Sequence, residues 1–277
     1  MKFPYTNIGR CIYCGSTQEP LTREHVLPRG LAGNEPPEGA SEALVLRNAS
    51  CERCREITRK IEEKCLLDML GPARRRLGLT RKDRRSPTSP VLVRMPGETE
   101  DTVQELIDNH VLGALVLPSF RTAQYFSNAT ERDREVNYKF ISVEPAVFPK
   151  GASRVGVKLR ADKVVFARML AKIGLGLATA CHGPGALIPL VRGLITGVDT
   201  DIHRYVGGFC EEIPEPPTGG PFHTMRLRNH DGLIVADIQL FGQFGGPINY
   251  VIIGRLTDDF VTTRLSFPCR ATRINLR

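Results

Sequence analysis

The apolar positions of the chain change period several times. From Cys51, the run CERCREITRKIEEKCLLDML places Ile57, Ile61 and Cys65 at four-residue spacing, with Leu66, Met69 and Leu70 widening the apolar side. This pattern predicts a helix that Gly71-Pro72 ends or kinks. In VNYKFISV and RVGVKLR the period falls to two, through Val136, Tyr138 and Phe140 and through Val155, Val157 and Leu159, which predicts strands. The helical period returns in DKVVFARMLAKIGLGLA, where Val165, Phe166, Met169, Leu170 and Ile173 form a stripe behind Asp162, a suitable N-cap. ALIPLVRGLITG reads as a further buried helix interrupted by Pro189. HTMRLRN and LIVADIQL flank the turn HDG and predict a hairpin at Asp231-Gly232. NYVIIGRL is apolar without alternation, as a buried strand would be.

These elements predict an α+β protein, and 277 residues exceed the usual size of one domain. The reading divides the chain into an N-terminal module over 1–80, a linker over 81–90 and a larger mixed α/β domain over 91–277. ARRRLGLTRKDRRSPTSP, with Arg74–Arg76, a second cluster at Arg81–Arg85 and two closing prolines, predicts a short helix leading into that linker.

Composition narrows the class. Hydrophobic residues make up 41% and charged residues 25%, as in a soluble globular protein. No uninterrupted apolar run reaches the roughly 18 residues a bilayer span needs, and MKFPYTNIGR lacks the apolar stretch of a secretory signal. The expectation is a cytoplasmic protein with no membrane partner. The net charge of +8 is uneven: residues 1–90 hold 17 Lys/Arg against 11 Asp/Glu, and the remainder 21 against 19. A positive excess in the first third suggests a polyanionic partner, with nucleic acid first.

That third also holds five of the eight cysteines, four of them as two Cys-x-x-Cys pairs, Cys11/Cys14 and Cys51/Cys54. Each pair can offer two thiolates to one ion, and four thiolates close the tetrahedral shell of structural zinc. The 36 residues between the pairs leave room for a functional insert. Cys65, Cys181, Cys210 and Cys269 are isolated and read as buried thiols.

Within the insert lie Glu24, His25, Pro28 and Gly33. Cys-x-x-Cys, acidic-His-x-x-Pro, a glycine-containing loop and a second Cys-x-x-Cys opening a helix together resemble an HNH endonuclease of the zinc-braced ββα-metal type, over residues 10–70. The resemblance implies a β-hairpin carrying the histidine, packed on a helix. It implies His25 as general base, activating water to attack a DNA phosphodiester, and Glu24 as ligand to a catalytic cation, Mg²⁺ or another divalent ion. The zinc on Cys11, Cys14, Cys51 and Cys54 would be structural. An imidazole with an ordinary pKa near 6.5 suits the base.

Two positions depart from that pattern. Glu24 stands where aspartate is commoner. Arg55 follows the last cysteine, where the family often has a metal-binding asparagine, and a guanidinium binds no metal. Glu62 or Asn48 would then complete the cation site, with Glu62 preferred. Arg53, Arg55, Arg59 and Lys60 on the helix, with Arg74, Arg75 and Arg76 beyond it, form a candidate phosphate-tracking surface. The other reading of the same residues is a zinc-dependent nucleic-acid-binding protein without hydrolysis. DNA is the expected partner, RNA is not excluded, and a homodimer is compatible with the sequence. The histidines of 91–277, His182, His203, His223 and His230, show no metal-ligand spacing and read as structural or surface groups.

Overall fold

A computed structural model describes residues 3–18, 20–32, 45–79, 91–96, 102–107, 113–127, 134–143, 154–156, 161–209, 221–257 and 272–274. Gly33, the linker 81–90 with Arg81–Arg85, Val157, Leu159, Cys210 and Cys269 lie outside these residues. The protein is mixed α/β, with helices set among several antiparallel sheets.

The first of these is a hairpin of β1 (Leu21–His25) and β2 (Val45–Cys51). The short helix α1 (Arg29–Ala32) lies between the strands, and α2 (Glu52–Lys64) follows β2 directly. The predicted long helix is present but segmented. After α2, a single wide turn at Cys65–Met69 leads into α3 (Gly71–Arg76), where Pro72 sits in the first turn and so costs no hydrogen bond.

Three further strands form a small sheet in the order β4 (Thr102–Ile107), β3 (Val91–Pro96), β7 (Arg154–Gly156), and β5 (Ala114–Phe120) pairs with β6 (Val136–Ser142). The chain then enters α4 (Lys163–His182), where Oδ1 of Asp162 accepts from the backbone N–H groups of Val164 and Val165, as an N-cap should. By length and composition α4 could cross a membrane, yet 83% of its most apolar window is buried inside the fold.

The largest sheet combines β8 (Leu187–Pro189), β9 (Val206–Gly208), β10 (His223–His230), β11 (Leu233–Leu240), β12 (Ile248–Leu256) and β13 (Thr272–Ile274). The β10–β11 hairpin turns at Asp231 and Gly232, both with positive φ (50° and 80°), the type I′ geometry that matches strand twist. The second helix expected over ALIPLVRGLITG is corrected. Leu187–Pro189 pairs with β12 as an edge strand ending at the proline, and only α5 (Arg192–Thr196) is helical. The short helix α6 (Ile202–Tyr205) precedes β9.

Helix α4 is the centre of the packing. On one face, a Cβ at Gly174 would meet Cδ1 of Ile253 at 2.5 Å and Cβ of Ala236 at 3.0 Å, so the helix lies close against the large sheet and a side chain here would make Ile253 move. Lys172 and Gly176, one turn apart, face the N-terminal hairpin, where Gly176 abuts Val26. One continuous apolar cluster therefore contains Leu27, Leu46 and Ile61 together with Phe166, Ile173 and Ile253. Cys65 is a buried free thiol as expected, whereas Cys181 is disulfide-bonded.

Candidate metal centre and the buried charge cluster beside it

The first cysteine pair sits in a tight turn. Gly15, at φ 80°, donates its N–H to the carbonyl of Cys11 at 2.8 Å, and Cys11 donates to Ser16 at 2.8 Å. Ile12 ties this turn to β2 by donating to the carbonyl of Ala49. The second pair is placed by secondary structure alone: Cys51 closes β2 and is the N-cap of α2, and Cys54 lies in its first turn. The four Sγ atoms lie within 4.8 Å of one another, and those of Cys14 and Cys51 are 3.7 Å apart. Tetrahedral zinc with Zn–S bonds of about 2.3 Å needs sulfurs about 3.8 Å apart, so the donor set fits this ion. Helix α5 reinforces the turn, because Nε of Arg192 donates to the carbonyl of Ile12 at 2.9 Å.

His25 ends β1 opposite Val45. Its imidazole is half-buried and has no hydrogen-bond partner among the described residues. Burial holds its pKa below the ordinary histidine value, and the charges of Lys172, Arg29 and Arg23 act in the same direction, against Glu62. The ring is therefore neutral at neutral pH.

The loop after His25 is gripped from several sides. Nζ of Lys172 donates to the carbonyl of His25 itself. Nε of Arg74 donates to the carbonyl of Gly30 at 2.7 Å. Nε2 of His223 lies 3.2 Å from the carbonyl of Leu31, while Nδ1 accepts from the N–H of Phe241 at 3.1 Å. Because Nδ1 is an acceptor, Nε2 carries the proton and donates. His223 is fully buried, and burial lowers its pKa to about 3.

Glu24 and Glu62 do come together, on a partner that the sequence reading did not assign. Nζ of Lys172 lies 2.8 Å from Oε1 of Glu24 and 2.6 Å from Oε1 of Glu62. The Lys172 side chain is completely buried, that of Glu24 6% exposed and that of Glu62 24%. Burial opposes the charge of Lys172, but the two carboxylates outweigh it and hold its pKa above the ordinary lysine value. Burial raises the Glu24 pKa, an effect that Lys172 opposes. The buried hydroxyl of Tyr13 lies beside Glu24 without a well-formed hydrogen bond, and its pKa is pushed up by burial and by both carboxylates.

The other assigned residues are dispersed. Asn48 adopts a left-handed conformation (φ 50°) in the β2 bulge and donates its amide to Asn7, which turns it away from Glu24. Arg55 pairs with Glu52 at 2.6 Å, and Arg59 with Glu56 and Glu63 at 2.7 and 2.5 Å; Lys60 lies 3.6 Å from Glu56. Arg53 is exposed and Arg75 and Arg76 are half-buried. Arg74, read as a phosphate contact, is instead a buried brace with its guanidinium on the carbonyls of Gly30 and Leu66.

Lys172, Tyr13 and Arg192 were not singled out from the sequence, whereas His223, read as a structural or surface group, is a buried structural one. For Lys172 a signal existed: a charge within an apolar helix stripe requires buried carboxylate partners elsewhere. Comparison with known protein families, characterised proteins and solved structures gives no match to this chain.

Proposed function

We propose that the protein is an HNH-like phosphodiester hydrolase acting on DNA, with residues 1–80 as a zinc-braced ββα module and His25 as the general base. The observation that carries this reading is the setting of His25. It is a partly exposed imidazole, its pKa lowered by burial and without a hydrogen-bond partner among the described residues, at the end of a hairpin strand whose partner strand leads through Cys51 into the helix bearing Cys54. In the reaction, His25 takes a proton from water as the water oxygen attacks phosphorus. The bond from phosphorus to the 3′ oxygen breaks, and that oxygen takes a proton from solvent. The same chemistry would hydrolyse RNA. Zinc on the four cysteines supplies rigidity, since a closed shell of four thiolates has no open position for substrate.

A divalent cation on Glu24 and Glu62 fits poorly, because both carboxylates are engaged by the buried ammonium of Lys172. No step of the proposed reaction is routed through such an ion. The same observation, with Arg55 in place of a neutral ligand, favours a second reading in which the module binds nucleic acid and does not cut it.

Incubation with supercoiled plasmid separates the two. The nuclease reading expects nicking that His25→Ala lowers by about 100-fold or more while zinc content is retained. Equal nicking by parent and variant sinks the assignment of the base. Salt-dependent binding without nicking, with or without added Mg²⁺ or Mn²⁺, replaces the first reading by the second.

A further inference from the structure

The cluster around Lys172 has the composition of a cation cage. Three oxygens converge on its Nζ: one carboxylate oxygen each from Glu24 and Glu62 and the backbone carbonyl of His25. These satisfy all three donors of an ammonium. A fourth oxygen, the Tyr13 hydroxyl, is buried beside Glu24 without a well-formed hydrogen bond. An all-oxygen set containing two carboxylates is the donor set of a hard cation.

The lysine cannot easily withdraw from this cage. It projects from the middle of α4, which is fixed on the opposite face by the close approach at Gly174 and on the same face by Gly176 against Val26. The residues flanking it on the helix, Met169, Leu170, Ala171 and Ile173, are fully buried and apolar. An ammonium displaced from the cage would move into that apolar surround, where a charge without a partner is strongly disfavoured. An incoming divalent ion would therefore have to drive this displacement as well as its own dehydration.

We propose that the ammonium of Lys172 is the resident cation of the Glu24–Glu62–His25 carbonyl cage, and that a divalent-cation site lies latent there, opened by removing this one side chain. The inference rests on reading Glu24 and Glu62 as the cation-binding pair. It is tested by cation binding and the nuclease reading by nicking, so failure of one is distinguishable from failure of the other.

The test is Mn²⁺ binding to the full-length, zinc-loaded protein, followed by the loss of the free Mn²⁺ paramagnetic resonance signal. Wild type, Glu62→Gln and Lys172→Ala are compared. Wild type is expected to bind no more Mn²⁺ than Glu62→Gln. Lys172→Ala is expected to gain one equivalent, bound at least about tenfold more tightly than anything in wild type. A wild-type protein that holds one Mn²⁺ released by Glu62→Gln overturns the proposal. So does a folded Lys172→Ala variant that binds no more than wild type. Where Lys172→Ala does not fold, the comparison of wild type with Glu62→Gln decides alone: a match supports the resident lysine and a Glu62-dependent ion refutes it.

Discussion

Lys172 donates to Glu24 at 2.8 Å across the interface between α4 and the N-terminal hairpin, and both side chains are shut off from solvent. Glu24 lies between the two cysteine pairs and Lys172 lies in the central helix α4. This ion pair therefore joins the candidate site to the rest of the protein. Its strength depends on Glu62, which shares the same ammonium at 2.6 Å.

The first prediction concerns this cluster. Lys172→Met leaves the buried Glu24 and the partly buried Glu62 carboxylates without a counter-charge, a situation that costs about 3–5 kcal/mol. Urea unfolding measures the loss. Adding Glu24→Gln to Lys172→Met should recover part of it, because one uncompensated charge is then removed. Strictly additive losses would show that the two side chains do not interact.

The four-cysteine site yields the second. One zinc per chain is expected by elemental analysis, lost on Cys51→Ser. Because Cys11, Cys51 and Cys54 belong to the same apolar cluster as α4, metal loss should lower the melting temperature of the whole chain and broaden its transition. Retention of the full melting temperature after complete zinc removal would rule out a structural role.

His223 gives a pH dependence. Its folded pKa is depressed to about 3, while the unfolded chain takes up the proton near the ordinary value of 6.5. The unfolded state thus binds more protons between these limits, and stability falls as pH drops through that window. For one proton the slope is about 1.4 kcal/mol per pH unit. The contribution of His223 is the difference between wild type and His223→Gln, which should have the shallower acid slope. Identical slopes would show that His223 titrates normally.

Arg74 and Arg53 should separate support from contact. Arg74→Met strands the carbonyls of Gly30 and Leu66 and should destabilise the fold by about 1–3 kcal/mol. Exposed Arg53→Ala should leave stability within about 0.5 kcal/mol. On the nucleic-acid reading it should weaken DNA binding and reduce its salt dependence. Denaturation curves and a salt titration of binding check both. An unchanged salt slope in Arg53→Ala would remove that residue from the contact surface.

Local chemistry was legible in the sequence where it depends on near neighbours. The Asp162 cap, the stripe of α4, the Asp231-Gly232 turn and the convergence of the two cysteine pairs each follow from short local patterns, and all are observed. Pro189 marked an interruption correctly. The sequence did not show that Leu187–Pro189 would find an open edge beside β12, which depends on a strand some sixty residues later.

The pairing of Glu24 and Glu62 with Lys172, and the burial of Arg74, were decided by tertiary structure. A charged side chain looks the same in sequence whether it faces water or a carboxylate from a distant segment. Its role is set by which surfaces α4 brings together, through the close approaches at Gly174 and Gly176. By itself, the sequence determined that four thiols and a histidine would share one small hairpin-and-helix unit. Only packing decided that the acidic pair beside that histidine would enclose a lysine, because burying one ammonium in an apolar helix requires the nearest carboxylates to neutralise it.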